Sequence, residues 1–449
     1  MLIGLCFSGG ALAQLVADDY VIVSRRYGSI YSIDPQSGLI RDLVSGVDLR
    51  GPTGLSRGTG HSLAASFHTS LAQSPTGALL ARYGVTTNGV VNWGLMRIHP
   101  TIGNRSVISN TTGHLFNEVG DLWHAGDDVF LTCADDWPGG AGRDGRLLEY
   151  SLATNTTQIL TGSGVGDGPL LQLPRPFALL DADTAVVLET YANRPGYPGA
   201  GAFLVDSETG DRTFLSRLSP AVLRRDLRVN GQVTGTVMLG DDEGGSGPVP
   251  NLQARGVAVV DGRIIIGFAI QKPGGAFNGG LIEIDPQTGN RTLLAGEALV
   301  DDGTQMNVVR VDPPGWTNVR LDAPIGFVPL EHRVAFTCLF GPPQIFEYDL
   351  NTGELFLISD VGAQIGPPNN VDVEFSGLAK VAVSVTLGDV NCDGAVNNFD
   401  IDPFVLLVVA PDVYASQFPG CPIANGDTNG DQAINAFDID GFVALLGGG

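Results

Sequence analysis

Basic side chains are scarce in this chain. Only two lysines, Lys272 and Lys380, occur in 449 residues, and 25 basic against 48 acidic side chains leave a net charge of −23. A surface of that sign repels a polyanion, so nucleic acid is excluded as a partner. Charged residues make up 16% and aromatic residues 7%, too few for a coiled coil or a salt-bridged helical bundle. No apolar run reaches the roughly 18 residues that a membrane-spanning helix needs. Catalytic signatures are missing as well: there is no Gly-x-Ser-x-Gly elbow and no His-Glu-x-x-His. The six histidines, His61, His68, His99, His114, His124 and His332, are scattered.

Glycine and proline are plentiful, at 62 and 27 residues, and 43% of the chain is hydrophobic. That composition suits a large all-β domain with many tight turns. The first residues, MLIGLCFSGGALAQ, form an apolar stretch ending in Ala11-Leu12-Ala13. This small-x-small pattern predicts a signal peptide over 1–13 and secretion, although no Lys or Arg precedes Arg25.

One phrase recurs six times. It reads IYSIDPQSGLIRDLVS at 30–45, LMRIHPTIGNRSVIS at 95–109, LLEYSLATNTTQILT at 147–161, AFLVDSETGDRTFLS at 202–216, LIEIDPQTGNRTLLA at 281–295 and IFEYDLNTGELFLIS at 345–359. Each copy has an alternating apolar strand, a short turn and a second alternating strand, which is the pattern of a hairpin. Asp34, Asp206, Asp285 and Asp349 are placed to accept a backbone hydrogen bond two residues on. Gly38, Gly210, Gly289 and Gly353 tolerate positive φ. A turn therefore accounts for these aspartates without any catalytic role, and His99 stands in the same turn position.

Two more short strands precede most hairpins, as in GVAVV-DG-RIIIGFA at 256–269. Each unit is then a four-stranded antiparallel sheet, with surplus length in Gly/Pro-rich insertions near 217–255 and 296–324. Such sheets cannot bury both faces alone and stack radially. The region 20–386 resembles six-bladed β-propellers in general, through a loose repeat and not a family motif. The alternative is a seven-bladed ring with an irregular blade in 217–255. The first unit lacks its innermost strand, and EFSGLAKVAVSV at 374–385 can supply it.

Beyond Leu387 the composition changes. Residues 388–449 hold nine Asp and no Glu, Lys, Arg or His, which predicts a separate small α-helical domain. Two Asx-rich segments, 389–400 and 427–438, place oxygen donors at positions 1, 3, 5, 9 and 12 and a backbone carbonyl at position 7. In the first these are Asp389, Asn391, Asp393, Ala395 (carbonyl), Asn397 and Asp400; in the second Asp427, Asn429, Asp431, Ala433 (carbonyl), Asn435 and Asp438. Hard oxygen ligands at this spacing point to calcium, two ions in all. Each segment runs into an apolar helical stripe, Ile401, Phe404, Val405 and Val408, then Ile439, Phe442, Val443 and Leu446, able to pack face to face.

No amphipathic helix precedes either loop, and position 12 is Asp. In these features 389–446 resembles a type I dockerin. The resemblance implies calcium-dependent folding and docking to a cohesin-like receptor or surface scaffold. The chain departs from cellulosomal dockerins at loop positions 10 and 11, where Ser-Thr is common and Asn398-Phe399 and Ala436-Phe437 stand here. Gln432 occupies the position where Gly takes positive φ, which predicts a weaker second site.

The sequence supports two classes of function for the large domain. One is a secreted binding or structural propeller, with a possible carbohydrate ligand, tethered by its dockerin-like module. The other is a dockerin-tethered carbohydrate-active enzyme or lactonase with its site in the propeller channel. Polar residues just upstream of the innermost strands, His68, Glu118, Arg175, Arg255, Asp322 and Glu374, converge at one channel mouth in such a ring. Cys392 and Cys421 are expected to form a disulfide in the small domain, and Cys133 and Cys338 to remain unpaired and buried in the large one.

Overall fold

A computed structural model describes residues 18–24, 28–47, 56–60, 71–73, 79–87, 90–98, 104–110, 119–125, 128–133, 145–151, 154, 156–162, 164–172, 174–189, 193–194, 197–198, 200–219, 223–240, 244–249, 253–271, 277–301, 306–338, 343–365, 375–381, 386–392, 395–418, 421, 423–429 and 434–447. The signal-peptide expectation over 1–13 lies outside them.

The large domain is a propeller-type arrangement of antiparallel sheets. The first sheet pairs, in order, Phe375–Lys380, Tyr20–Ser24, Ile30–Ile33, Ile40–Val47 and Ser56–Arg57. The late strand supplies what the first unit lacks, with Tyr20 opposite Lys380 and Ile22 opposite Leu378. Five more sheets follow in simple up-and-down order. Their inner strands are Leu71–Gln73, Val119–Ala125, Pro174–Leu179, Gln253–Val260 and Pro324–Pro329. Each inner strand lies against those of the sheets before and after it, and Phe375–Lys380 touches both Pro324–Pro329 and Leu71–Gln73. The contacts therefore run in a closed circle.

The turn chemistry behaves as its residues dictate. Asp34, Asp206, Asp285 and Asp349 accept from the amides of Gln36, Glu208, Gln287 and Asn351 at 2.8–2.9 Å. Gly38, Gly210, Gly289 and Gly353 have φ of 69°, 77°, 69° and 75°.

These turns also join one sheet to the next. An added Cβ would stand 1.9 Å from the Leu215 carbonyl at Gly289, 2.3 Å from the Leu160 carbonyl at Gly210 and 2.2 Å from the Ile358 carbonyl at Gly38. Each of these three turns therefore presses its backbone onto the outer strand of the preceding sheet. A hydroxyl on that strand donates to the glycine carbonyl: Thr161 to Gly210 at 2.5 Å, Ser216 to Gly289 at 2.7 Å and Ser359 to Gly38 at 2.6 Å. An arginine two residues after the glycine completes the clasp. Arg291 donates to Ser216 Oγ (2.7 Å) and to the carbonyls of Pro248 and Gly247 (2.9 and 3.1 Å). Arg212 does the same with Thr161 Oγ1, Pro169 and Gly166.

Where the phrase departs from this pattern, another group takes over. The fifth copy ends in Ala295 and the sixth has Glu354 after its turn; there the Tyr348 hydroxyl donates to the Leu294 carbonyl at 3.2 Å. At the circle's closure Gln364, on α1 (Val361–Ile365), accepts from the Ile40 amide at 2.6 Å and donates to the Gly38 carbonyl at 2.8 Å.

The insertions differ from expectation. Residues 223–239 form a hairpin, Leu223–Val229 with Gln232–Leu239, paired with Gly168–Pro169 in a separate three-stranded sheet. Its anchor is the ion pair of Arg225 with Glu189, both buried, at 2.5 Å. In the other insertion Met306–Val311 extends the fifth sheet to five strands.

Gly289→Ala should lower stability by about 2–4 kcal/mol, through left-handed strain and the clash with the Leu215 carbonyl. Ser216→Ala should cost about 1–3 kcal/mol by leaving buried groups unsatisfied. Chemical denaturation of the two variants against wild type measures both; a change below 0.5 kcal/mol in each, which is the usual size for a surface substitution, would show that the clasp does not hold the sheets.

Candidate functional site

The two Asx-rich segments fold alike. In the first, Asp400 is wholly buried and its two oxygens accept from the amides of Asn391 (3.0 Å) and Asn397 (2.9 Å). In the second, the wholly buried Asp438 accepts from Asn429 (3.2 Å) and Asn435 (2.9 Å). Asn397 and Asn435 each return a side-chain acceptor to the amide of Phe399 or Phe437, at 2.8 Å. Each segment thus closes into a loop and starts a helix with a reciprocal capping box. The helices are α2 (Ile401–Val409) and α4 (Ile439–Gly447).

Asp389 is buried as well. The segment 388–449 contains no Lys, Arg or His to neutralise these carboxylates. Burying a carboxylate is costly unless hydrogen bonds or opposite charge offset it, and the amides that face Asp400 and Asp438 are part of that offset. The oxygen donors of Asp389, Asn391, Asn397 and Asp400, and of Asp427, Asn429, Asn435 and Asp438, suit calcium in type. Ala395, the position 7 residue of the first loop, is described; Asp393, Asp431, Ala433 and Gln432 lie outside the described residues. Among the described residues no three acidic, histidine or cysteine side chains converge.

The expected disulfide is present. Cys392, at position 4 of the first loop with φ 57°, is bonded to Cys421 with a Cα separation of 5.6 Å. Asn425 was not singled out from sequence, yet it ties the loops together: buried, it donates to the Asp389 carbonyl at 2.5 Å and accepts from the Thr386 amide at 3.0 Å. The only cue to it is an Asn just before the second Asx run. Between the loops lies α3 (Pro411–Gln417), begun by Pro411 and fixed by the buried Tyr414, whose hydroxyl donates to the Val390 carbonyl at 2.9 Å.

The helical stripes pack less fully than their spacing predicts. Phe404 and Phe442 stack with centroids 4.1 Å apart and are buried. Ile401, Val405, Ile439 and Val443 remain exposed, and Phe399 and Phe437 are 78% and 80% exposed. Only the residues facing the neighbouring helix are covered; the rest line an apolar groove of about 290 Å³ between α2 and α4.

At the expected channel mouth, His68, Glu118 and Glu374 lie outside the described residues. Arg175 lies on the strand Pro174–Leu179, and its side chain is outside them too. Arg255 is half-buried on Gln253–Val260. Asp322 precedes the strand Pro324–Pro329 and is held by Arg320 at 2.8 Å. Of the six candidates, only Arg255 and Asp322 have described side chains. Cys338 is buried and unpaired, and burial pushes its thiol well above the usual range. The Cys133 side chain lies outside the described residues. Among the described residues no helix is long and apolar enough to cross a membrane.

No protein-family model matches the chain, and no curated protein sequence matches it. Solved structures with a similar trace include two proteins each named "putative 6-phosphogluconolactonase". The one from Bacteroides fragilis is 12% identical, with a TM-score of 0.43 over 81% of this chain and 97% of that one. The one from Bacteroides uniformis is 11% identical, with a TM-score of 0.39 over 81% and 100%. Hydrazine synthase of Kuenenia stuttgartiensis is 10% identical, with a TM-score of 0.40 over 84% and 90%. Likeness at this level assigns no activity.

Reducing the Cys392–Cys421 disulfide should destabilise the small domain by about 3.5 kcal/mol, the loop entropy restored to the unfolded chain. Thermal melts of a Cys392→Ser, Cys421→Ser variant, followed by tyrosine fluorescence, test this; an unshifted small-domain transition would count against it.

Proposed function

We propose that the chain is a secreted two-part protein. A six-bladed β-propeller over 20–386 is carried by a dockerin-like module over 388–449, which binds two calcium ions and docks to a cohesin-like receptor or surface scaffold. The observation that carries this reading is the duplicated, wholly buried Asp400 and Asp438, set in matching loops of a segment without one basic side chain. Calcium held by the oxygen donors of each loop would supply counter-charge to its carboxylates. The chain's own residues provide the frame: amide donors orient the position 12 carboxylates, Asn425 joins the two loops, and the disulfide fixes the first.

The receptor reading is supported by the groove between α2 and α4 and by the exposed Phe399 and Phe437 at position 11 of each loop. An apolar surface of this kind on a chain of net charge −23 marks an interaction site. For the propeller, the pairing of Asp322 with Arg320 supports a binding or structural role in which ion pairs seal the channel mouth.

Titration of calcium into the chelator-stripped whole chain should show two sites, the Asp427 loop the weaker. Asp400→Ala and Asp438→Ala should each remove one of them, and chelation should lower the small domain's helical signal. Absence of calcium uptake, or two sites in both variants, would overturn the reading.

A further inference from the structure

The hairpin Leu223–Val229 and Gln232–Leu239 has no part in the function proposed above. It is nonetheless held in place from two sides. Arg225, wholly buried, reaches into the fourth sheet to Glu189, and the Asp167 carboxylate accepts from the turn amides of Asn230 (2.7 Å) and Gly231 (3.0 Å). Those two amides also draw the Asp167 carboxyl below the usual carboxylate range. Among the described residues the outer strand Gln232–Leu239 is the last strand of its sheet. Residues 232 to 236 are all exposed, with Val233 56% and Met238 55% exposed.

An exposed edge strand is a template for another strand, and proteins usually blunt it with charge, proline or a bulge. This one carries none of the first two: residues 229–240, VNGQVTGTVMLG, contain no charged side chain and no proline. At its centre the sequence is a palindrome, Val233-Thr234-Gly235-Thr236-Val237. Gly235 has nothing within 4 Å of where a Cβ would stand and does not take positive φ. Its own fold therefore gives no reason for glycine there, whereas close approach of another backbone does.

We propose that this edge pairs with the same edge of a second copy, antiparallel about a two-fold axis at Gly235. In that register each Val233 lies opposite the other copy's Val237, and each Thr234 opposite its Thr236. Such matched β-branched and threonine pairs are the favourable cross-strand neighbours of antiparallel sheets. The charge pattern selects the same place. Two copies of net charge −23 repel, and an uncharged segment presented on a rigid hairpin lets their backbones meet without like-charge contact. One edge strand buries far less than the roughly 1,600 Å² of a standard interface. The dimer is accordingly weak, forming in the micromolar range or above and gaining strength where the chain is concentrated on a surface.

Sedimentation velocity of the whole chain over two decades of concentration should show a monomer–dimer equilibrium. Thr236→Lys, which adds like charge to both edges while keeping a partner in Asp226, should weaken the dimer at least tenfold without moving the melting temperature. Under mild oxidation Gly235→Cys should form a reducible disulfide-linked dimer. Gln232→Cys, which faces Met238 of the second copy in this register, should not. A chain that stays monomeric throughout, a dimer unaffected by Thr236→Lys, or cross-linking as good from Gln232→Cys would each overturn the proposal.

Discussion

Three seams of the large domain depend on a contact between backbone and backbone: the turn glycines Gly38, Gly210 and Gly289 laid against the outer strand of the neighbouring sheet. At Gly289 the neighbouring carbonyl occupies the space of a side chain, so no other residue fits, and the same is true at Gly38 and Gly210. The approach leaves a turn carbonyl buried, and a buried carbonyl needs a donor. Thr161, Ser216 and Ser359 supply one. The arginines then capture the carbonyls of the linking loops, which would otherwise be stranded. At these three seams a sheet is oriented by its neighbour through polar groups at one rim, while apolar side chains fill the space between sheets.

Much of this was legible in the sequence because turns are local. An Asp followed four residues later by Gly specifies both an Asx hydrogen bond and positive φ, and both occur at Asp34, Asp206, Asp285 and Asp349. The closing strand near 375–380 could be inferred because the first unit was one strand short. The clasp was visible but unused: the phrase ends in Ser or Thr in five copies and has Arg two after the turn glycine in three, yet their partners lie in other repeats. The hairpin at 223–239 was illegible for a different reason. Its alternating Arg-Arg-Asp-Leu-Arg run looks solvent-facing, and only a buried acid 36 residues upstream, Glu189, makes Arg225 an interior residue.

The small domain shows the limit of periodicity. Spacing identified which side chains of α2 and α4 share a face but not how many neighbours would cover it. One aromatic pair, Phe404 on Phe442, closes the contact, and the remaining apolar residues stay open to solvent. Ligand spacing was more informative, since loop closure requires particular oxygens at particular positions. Asn425 and Tyr414 escaped notice because each acts on a backbone carbonyl, Asp389 or Val390, that carries no mark in the sequence. The candidate residues of the channel mouth rest on strand order alone, and of them Asp322 is drawn into an ion pair with Arg320.

The strand that closes the circle of sheets is also the last piece of the large domain before the tandem loops begin. Any pull exerted through the loops is delivered at Lys380 and Val381. There the chain is fastened by the ion pair of Lys380 with Asp18 (3.1 Å) and by reciprocal bonds of Val381 with Asp18 and Asp19. Because Lys380 stands opposite Tyr20 at the start of the pairing, a force that separates these ends peels the strand one hydrogen bond at a time and does not shear all of them together. Mechanical yield at this point would open the circle and draw Leu378, Ala379 and Val381 out of the apolar clusters on either side of the first sheet.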